Sequence, residues 1–304
     1  MFRKLIFPAL LLLIWTTACS PASIFALTPT PTQYIYPTPV TPEVPALTVE
    51  RLRNAEYTLP GFGGATYSYR LEDGKYSEGD PSVAGYVSLS MLDLYAFGDL
   101  DQDGVNDAAV LIAANYGGTG VFVSLNAVLN DGGQLHHAAW YMVDDRPKIN
   151  QLDIRDGEIY LEGIVHGFDD PACCPKLSVT RSFTINGTSL MLVGATSFLT
   201  TGQERAITID LPMDGTEMSG ELVISGSVTI LPFENTLTLR VYNEQGNEVF
   251  IAPVEVAGTG AAGSFSTTLN LDTFPQGRVR IVIADLSAPD GSVLALDSVE
   301  VIVK

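Results

Sequence analysis

The most constraining feature of this chain is the regular alternation of short β-type runs with turn residues from Glu50 onward. The runs are rich in Val, Ile, Tyr and Thr, and Gly, Asp and Asn separate them. β-Branched and aromatic side chains suit a pleated, half-buried surface, whereas the separating residues favour tight turns. Long helical periodicity is scarce, and the short apolar run 108–115 favours a buried strand. The sequence therefore predicts an all-β protein.

The last hundred residues contain about seven strand candidates separated by Asp-Gly, Gln-Gly and Pro-containing turns. The predicted strands are 205–211, 221–230, 236–243, 247–256, 263–271, 278–286 and 293–303. Seven short strands in about 100 residues is the number found in an immunoglobulin-like sandwich. This segment has no Cys and no Trp, so aliphatic side chains must form its core.

Several turn and core positions of this segment carry a family resemblance. They are Leu211-Pro212, Gly215, Ile224-Ser225-Gly226, the hairpin 239–248, Gly263-Ser264-Phe265, Ser287 and Asp290-Gly291. The segment resembles the immunoglobulin-like domain of bacterial spore-germination proteins, which occurs in bacterial surface lipoproteins. The resemblance implies a fold and a surface setting, but no reaction.

The N-terminus reads as an export signal. Arg3 and Lys4 precede the apolar run 5–15, and the small residue Ala18 precedes Cys19. A basic start, a short apolar stretch and a small residue before the cut are typical of a secretory signal. The Ala18-Cys19 pair resembles the lipobox of bacterial lipoproteins, which implies lipidation of Cys19. Ordinary signal cleavage nearby, with Cys19 incidental, is the alternative.

Residues 20–47 form a Pro/Thr-rich segment after the predicted signal peptide (1–19). Seven of the 18 prolines lie in it. Such a sequence cannot form helices or sheet ladders and favours extended polyproline II. We expect a stalk that holds a folded region off a membrane, to which the chain is anchored by lipid rather than by a spanning segment. The predicted location is therefore the extracytoplasmic side of a bacterial cell envelope.

The folded part divides into two predicted domains. A β-rich domain occupies 48–195, and the immunoglobulin-like sandwich occupies 205–304. The polar stretch 196–204, which contains Gly202, is predicted to link them.

The strongest chemical motif is an acidic loop in the first domain. Asp99, Asp101, Asp103 and Asp107 occupy loop positions 1, 3, 5 and 9, with glycine at position 6. A calcium-sized cation takes six to eight oxygens, and the carbonyl of Val105 would supply another. The loop resembles the Ca²⁺ loops of FG-GAP and related β-propeller repeats, which lie between strands.

Position 12 of this loop is an aliphatic residue, so the bidentate glutamate of an EF-hand is missing. An acidic turn without metal is the alternative, since Asp and Gly are common turn residues. Crowded carboxylates repel one another without a counter-ion, which favours calcium. We expect any Ca²⁺ bound here to have a structural role.

Adjacent Cys173 and Cys174 form the second chemical motif. With Cys19 lipidated, they are the only remaining pair in an oxidising compartment. A vicinal disulfide or a buried thiol pair that rigidifies a loop is the simplest interpretation. A redox switch, or soft-metal binding together with His166, is the alternative.

Motifs spread along the first domain carry a second resemblance. They are Gly98-Asp99-Leu100-Asp101, the run 108–110, Gly117-Gly118-Thr119-Gly120, Val128-Leu129-Asn130 and Cys173-Cys174-Pro175. Together they resemble an uncharacterised domain that recurs in bacterial lipoproteins, so this resemblance implies no activity.

Charge excludes one class of function. The chain carries a formal net charge of −19, which repels phosphate backbones and argues against nucleic-acid binding. With three histidines, no G-x-S-x-G elbow and no other catalytic arrangement of residues, no catalytic residues are predicted.

The sequence favours a non-enzymatic, membrane-anchored bacterial surface lipoprotein that acts as a binding module with a structural Ca²⁺ loop. Its expected partner, besides the membrane, is a protein or a cell-wall component. The alternative is an envelope redox or metal sensor, or an enzyme, centred on Cys173, Cys174 and His166.

Overall fold

A computed structural model describes residues 44–61 and 64–304. The predicted signal peptide, Cys19 and most of the Pro/Thr-rich segment lie outside these residues. The described chain contains one α-helix, α1 (Val49–Arg53), two short 3₁₀ turns, and otherwise strands and loops, which confirms the all-β prediction. No helix in this part combines the length and apolar character needed to cross a bilayer.

Eleven strands form the first part of the fold, here called the β-rich region. They are β1 (Glu56–Pro60), β2 (Thr66–Arg70), β3 (Lys75–Glu78), β4 (Val87–Gly98), β5 (Asp107–Asn115), β6 (Phe122–Asp131), β7 (Gln134–Asp145), β8 (Lys148–Arg155), β9 (Glu158–Val165), β10 (Leu177–Asn186) and β11 (Ser189–Phe198).

Nine further strands form the second part, here called the sandwich. They are β12 (Glu204–Arg205), β13 (Ile207–Leu211), β14 (Thr216–Met218), β15 (Glu221–Val228), β16 (Thr236–Asn243), β17 (Glu248–Gly258), β18 (Gly263–Asn270), β19 (Gly277–Leu286) and β20 (Val293–Val303).

The β-rich region is built in three layers around an antiparallel sheet of β3 to β7, paired in chain order. A second sheet, β8 to β11, covers one face of it, and α1 with the β1–β2 hairpin covers the other. The central strand β5 is consequently buried on both faces. Leu111 packs in one core with Phe183, and Val110 packs in the other with Leu52. A strand covered on both sides needs apolar residues at successive positions, which explains the unbroken run in its sequence.

The short helix begins where the Pro/Thr-rich segment ends. The Thr48 hydroxyl accepts a hydrogen bond from the Arg51 N–H and caps the helix, while Leu52 is fully buried beneath it. Just upstream, the Pro45 carbonyl accepts a hydrogen bond from the side chain of Asn130. The chain is therefore held against the β-rich region at residue 45, before the helix starts.

The sandwich has two sheets that share β17. One sheet has the order β13-β15-β18-β17, and the other has the order β14-β20-β19-β16-β17, with β14 parallel to β20. Aliphatic side chains and Phe265 fill the space between them. All seven predicted strands are present, and the structure adds the short β14. This arrangement is that of an immunoglobulin-like sandwich.

The two regions meet along β11 and β20. Ala195 faces Leu296 in antiparallel register, and the Ser298 hydroxyl donates to the Val193 carbonyl at 2.7 Å. Beside this contact and within the sandwich, Arg205 of β12, the strand that pairs with β11, donates to the buried carboxylate of Asp285 on β19 at 2.5 Å. A small apolar cluster fills the junction, formed by Ala195, Val282, Ala284 and Leu296.

The predicted linker 196–204 contains the end of β11, a turn in which the Leu199 N–H donates to the Gln203 carbonyl at 2.9 Å, and the start of β12.

Candidate functional site

The acidic loop connects β4 to β5, two antiparallel neighbours in the central sheet. It therefore lies between strands, the position implied by its resemblance to propeller-type calcium loops. Two backbone positions let it turn back on itself, since Gln102 (φ 63°) and Gly104 (φ 87°) both adopt left-handed conformations. Glycine adopts this conformation without steric cost, which accounts for its place at the sixth position.

Three of the predicted acidic ligands converge. One carboxylate oxygen from each of Asp99, Asp101 and Asp107 lies within 4.8 Å of the others. Asp103 is not part of this group. Its carboxylate instead accepts a hydrogen bond from the Val105 N–H at 2.7 Å and stabilises the turn. The loop thus has two kinds of acid, a converging set and a turn-forming one.

Asp107 is the fixed member of the set. It is 1% exposed, and its two oxygens accept hydrogen bonds from the backbone N–H groups of Leu100 (2.8 Å) and Asn130 (2.9 Å). Burial raises the pKa of this carboxyl above its usual value, although these hydrogen bonds oppose the shift. The carboxylate holds the loop against β6, and a nearby cation would favour its charged form.

Asp99 has one satisfied and one unsatisfied oxygen. Its Oδ2 accepts a hydrogen bond from the Gly104 N–H at 2.9 Å, while Oδ1 is buried without a partner among the described residues. A buried carboxylate oxygen without a donor is costly. A hard divalent cation would satisfy it, and oxygen ligands are the ones that Ca²⁺ prefers. The residues present therefore fit a calcium ion.

The second motif, Cys173-Cys174, lies in the loop between β9 and β10. The two sulfurs are bonded to each other, and both residues are exposed. Asp170 organises this loop, because its Oδ2 accepts hydrogen bonds from the N–H groups of Gly167 and Lys176 at 2.9 and 2.8 Å. Since each sulfur is occupied by the other, the pair offers no free thiolate to a metal.

His166 lies at the start of the same loop and is held by Asp144. Its ring Nδ1 and its backbone N–H both contact Asp144 Oδ2, at 2.9 and 2.5 Å. Burial acts to lower the pKa of His166, but the hydrogen bond and charge of Asp144 outweigh it, and the pKa is raised. Asp144 was not among the residues singled out as partners of His166. Only their meeting in the fold reveals the pair.

A third polar site escaped the sequence analysis. His136 and His137 follow a Gly-Gly turn, and of the two only His136 is exposed. His137 accepts a hydrogen bond from the Thr58 N–H at 3.0 Å, and its Nε2 lies 3.1 Å from the Asn126 side-chain oxygen. Burial lowers the pKa of His137 to about 4, so it is neutral at pH 7. The signal was Asn126, a polar residue within an apolar strand.

Comparison with known proteins agrees with the sandwich topology. Residues 206–292 match the family model described as the immunoglobulin-like domain of bacterial spore germination. Searches of curated proteins and of solved structures found no match. The match covers the sandwich up to the start of β20 and none of the β-rich region. It therefore supports the fold of the sandwich and leaves the β-rich region without a relative among these comparisons.

Proposed function

We propose that this chain is a non-enzymatic, lipid-anchored bacterial surface protein whose folded region binds a protein partner. The export signal, Cys19 and the Pro/Thr-rich segment support the anchor and the envelope location. The match to an immunoglobulin-like domain is compatible with an interaction module. The observation that carries the proposal is the open edge of β17.

β17 pairs with β16 along Glu248 to Glu255, but it pairs with β18 only from Val256 onward. Its other edge therefore lacks a strand partner over the first eight residues, within the described part of the chain. Three successive apolar side chains are exposed there: Val249 (41%), Phe250 (37%) and Ile251 (54%). An extended segment of a partner can add to such an edge through backbone hydrogen bonds. Pro253 limits the length of edge that can pair.

Site-specific photo-crosslinking from Ile251 in intact cells tests this proposal. The matched control is Ser227, an exposed residue of β15 that pairs with Thr208 of β13 on one edge and with Ser264 of β18 on the other. We expect a discrete protein adduct from Ile251, none from Ser227, and loss of the adduct when Phe250→Asp is added. Equal labelling from both positions, or none from Ile251, would reject the edge as the binding site.

The lipid anchor is tested separately. Cys19→Ser should abolish incorporation of a labelled fatty acid and release the protein from the membrane fraction. Retention of both label and membrane association would show that Cys19 is not the attachment point.

We also propose that the acidic loop binds Ca²⁺ in a structural role, with Asp99, Asp101 and Asp107 as side-chain ligands. An ion at a hundred times its dissociation constant stabilises the folded state by about 2.7 kcal/mol, which corresponds to a rise of about 5 °C or more in melting temperature. Asp101→Asn should abolish the rise, whereas Asp103→Asn, which can still accept the turn hydrogen bond, should keep most of it. An unchanged melting temperature of chelator-treated wild-type protein in millimolar Ca²⁺ would disprove the site.

The redox alternative retains one observation in its favour. Cys173 and Cys174 form an exposed disulfide in the loop that begins at His166, so a reductant could reach it. The cysteine variants described in the Discussion separate a loop-stiffening role from a signalling one.

A further inference from the structure

A small cleft of about 280 Å³ opens between the β1–β2 hairpin and the start of β4, away from the acidic loop and the cysteines. Four of the 12 tyrosines line it: Tyr67, Tyr69, Tyr76 and Tyr86. Among the described residues that line it, Glu78 is the one charged side chain, and none is Lys, Arg or His. The acidic loop and the β17 edge do not involve these residues.

Strand alternation places these side chains on facing surfaces. Tyr67 and Tyr69 are two residues apart on β2, and Tyr76 and Glu78 are two residues apart on β3, so each pair lies on one face of its strand. The Tyr69 and Tyr76 rings have centroids 5.1 Å apart and are inclined by 63°. The Tyr67 and Tyr69 rings are 6.3 Å apart and inclined by 53°.

The rings and the carboxylate are held in place by their neighbours. A Cβ on Gly61 would come within 2.7 Å of the Tyr67 ring, so the backbone there packs directly against the ring. The Tyr76 hydroxyl donates to Glu78 Oε2 at 2.6 Å, which fixes the carboxylate beside the ring. Tyr69 is 6% exposed, whereas Tyr67 is 52% exposed and forms the outer wall.

We propose that this tyrosine cleft binds a small organic cation, a free quaternary ammonium solute of the choline type. The faces of aromatic rings carry negative electrostatic potential, and a poorly hydrated ammonium group is attracted to them. A single carboxylate, that of Glu78, supplies the matching charge, and no basic group is present among the described lining residues. The cleft is smaller than the roughly 300–1,000 Å³ of sites for drug-sized ligands, which selects a compact group.

Calorimetric titration of the full chain with choline tests the site, with 3,3-dimethylbutan-1-ol as its uncharged analogue of the same shape. The ring faces and Glu78 act on charge, so choline should bind about tenfold more tightly than the alcohol. Equal affinities would mean that the cleft recognises only apolar shape, and no binding of choline would mean that it is not a cation site. Either result overturns the proposal.

Variants locate the site. Tyr67→Leu and Glu78→Gln should each weaken choline binding by about fivefold, whereas Tyr67→Phe, which keeps the ring face, should stay within about twofold of wild type. Glu158 and Tyr160 on β9 provide the matched control, because they have the same spacing but Arg155 already covers the Tyr160 ring at 4.7 Å. Glu158→Gln and Tyr160→Leu should leave choline affinity unchanged. Loss of binding in the control variants, with Tyr67→Leu unaffected, would place any site elsewhere.

A phosphocholine titration distinguishes a free solute from a headgroup. Because no basic side chain among the described lining residues can receive the phosphate beside Glu78, phosphocholine should bind more weakly than choline. Equal or tighter binding of phosphocholine would overturn the assignment to a free solute.

Discussion

The two regions of this molecule use strands in different ways. In the sandwich, β15 alternates buried and exposed side chains along its length, because one face meets the core and the other meets solvent. In the β-rich region, every residue of β5 from Asp107 to Ile112 is buried. The two regions also differ in how many polar side chains they bury. The β-rich region buries five, namely Asp107, Ser124, Asn126, Asn130 and Ser197, whereas the sandwich buries two, namely Asp285 and Ser287.

The difference shows which parts of an all-β protein bury polar side chains that could form a functional site. A two-layer sandwich satisfies its backbone through the sheets and leaves polar side chains outside. A three-layer arrangement buries the ends of strands and loops, whose polar groups must then find partners inside. Asp107 and His137 have such partners, whereas Asp99 keeps one buried oxygen without a hydrogen-bond partner among the described residues.

The largest expected effect is a test of whether the two regions unfold separately. Phe183 is fully buried in the β-rich region and Phe265 is 3% exposed in the sandwich. Phe183→Ala and Phe265→Ala should each lower the free energy of unfolding by about 4 kcal/mol through lost burial and a cavity. Because β11 and β20 share a junction, calorimetry should show one transition in both variants. A split transition, with the sandwich unaffected by Phe183→Ala, would establish independent units.

Next in size is the ion pair at that junction. Arg205→Met leaves the buried carboxylate of Asp285 without a partner and should cost about 3 kcal/mol, measured by urea unfolding. The double variant Arg205→Met/Asp285→Leu should recover most of this loss. The exposed pair Arg240 and Glu248 is the control, for which Arg240→Met should cost less than about 1 kcal/mol. A cost as small for Arg205→Met would show that this buried ion pair contributes little to stability.

A third prediction concerns acid, since all three histidines lie in the β-rich region. The folded pKa of His137 is about 4, below its unfolded value of 6.5, so the unfolded chain takes up the proton first as pH falls. Its contribution to stability is present above pH 6.5 and is lost towards pH 4, by about 2 kcal/mol between pH 7 and 5.

Urea unfolding at pH 7 and 5 measures this loss. The change in the free energy of unfolding between pH 7 and 5 is also measured for His137→Gln and subtracted from that of the wild type. The difference is the contribution of His137, separated from that of carboxyl groups that titrate in the opposite sense. His136→Gln is the matched control, because His136 is exposed. Identical pH dependence in wild type and His137→Gln would exclude His137 as the source.

The smallest effect is expected at the cysteine pair. A link between adjacent residues restricts the unfolded chain little, so Cys173→Ser/Cys174→Ser should lower the free energy of unfolding by at most about 1 kcal/mol. Partner crosslinking from Ile251 should persist in this variant if the pair only stiffens its loop. Loss of crosslinking with a small change in stability would favour the redox alternative.

Much of the fold followed from residue patterns, and the reason is local. In the strands of the sandwich, apolar and polar residues alternate with period two, and the strands end at Gly- or Asp-containing turns. Each strand can therefore be predicted from a few residues. The short β14 was missed because three residues carry no period, and it forms only by pairing with β20.

The candidate sites were less readable because they depend on distant partners. The spacing of the acidic loop singled out Asp99, Asp101, Asp103 and Asp107 together. It could not show that three of these carboxylates converge, whereas that of Asp103 accepts a hydrogen bond from the Val105 N–H. Asp144 lies 22 residues from His166, and Asn126 lies 11 residues from His137. The tyrosine cleft combines residues of β2 and β3, and no spacing in the sequence predicts that the tyrosine side chains of these two strands are in contact.

The contact between β11 and β20 also sets an order of assembly. Ser298 meets Val193 across 105 residues of chain, and β20 pairs with β19 and β14 as well. During synthesis or export, β11 therefore waits with one side uncovered until the sandwich strands have emerged. The chain is most exposed to misassembly during the time between the emergence of β11 and that of β20. A chain interrupted before β20 would lack both the last strand of the sandwich and the strand that contacts β11.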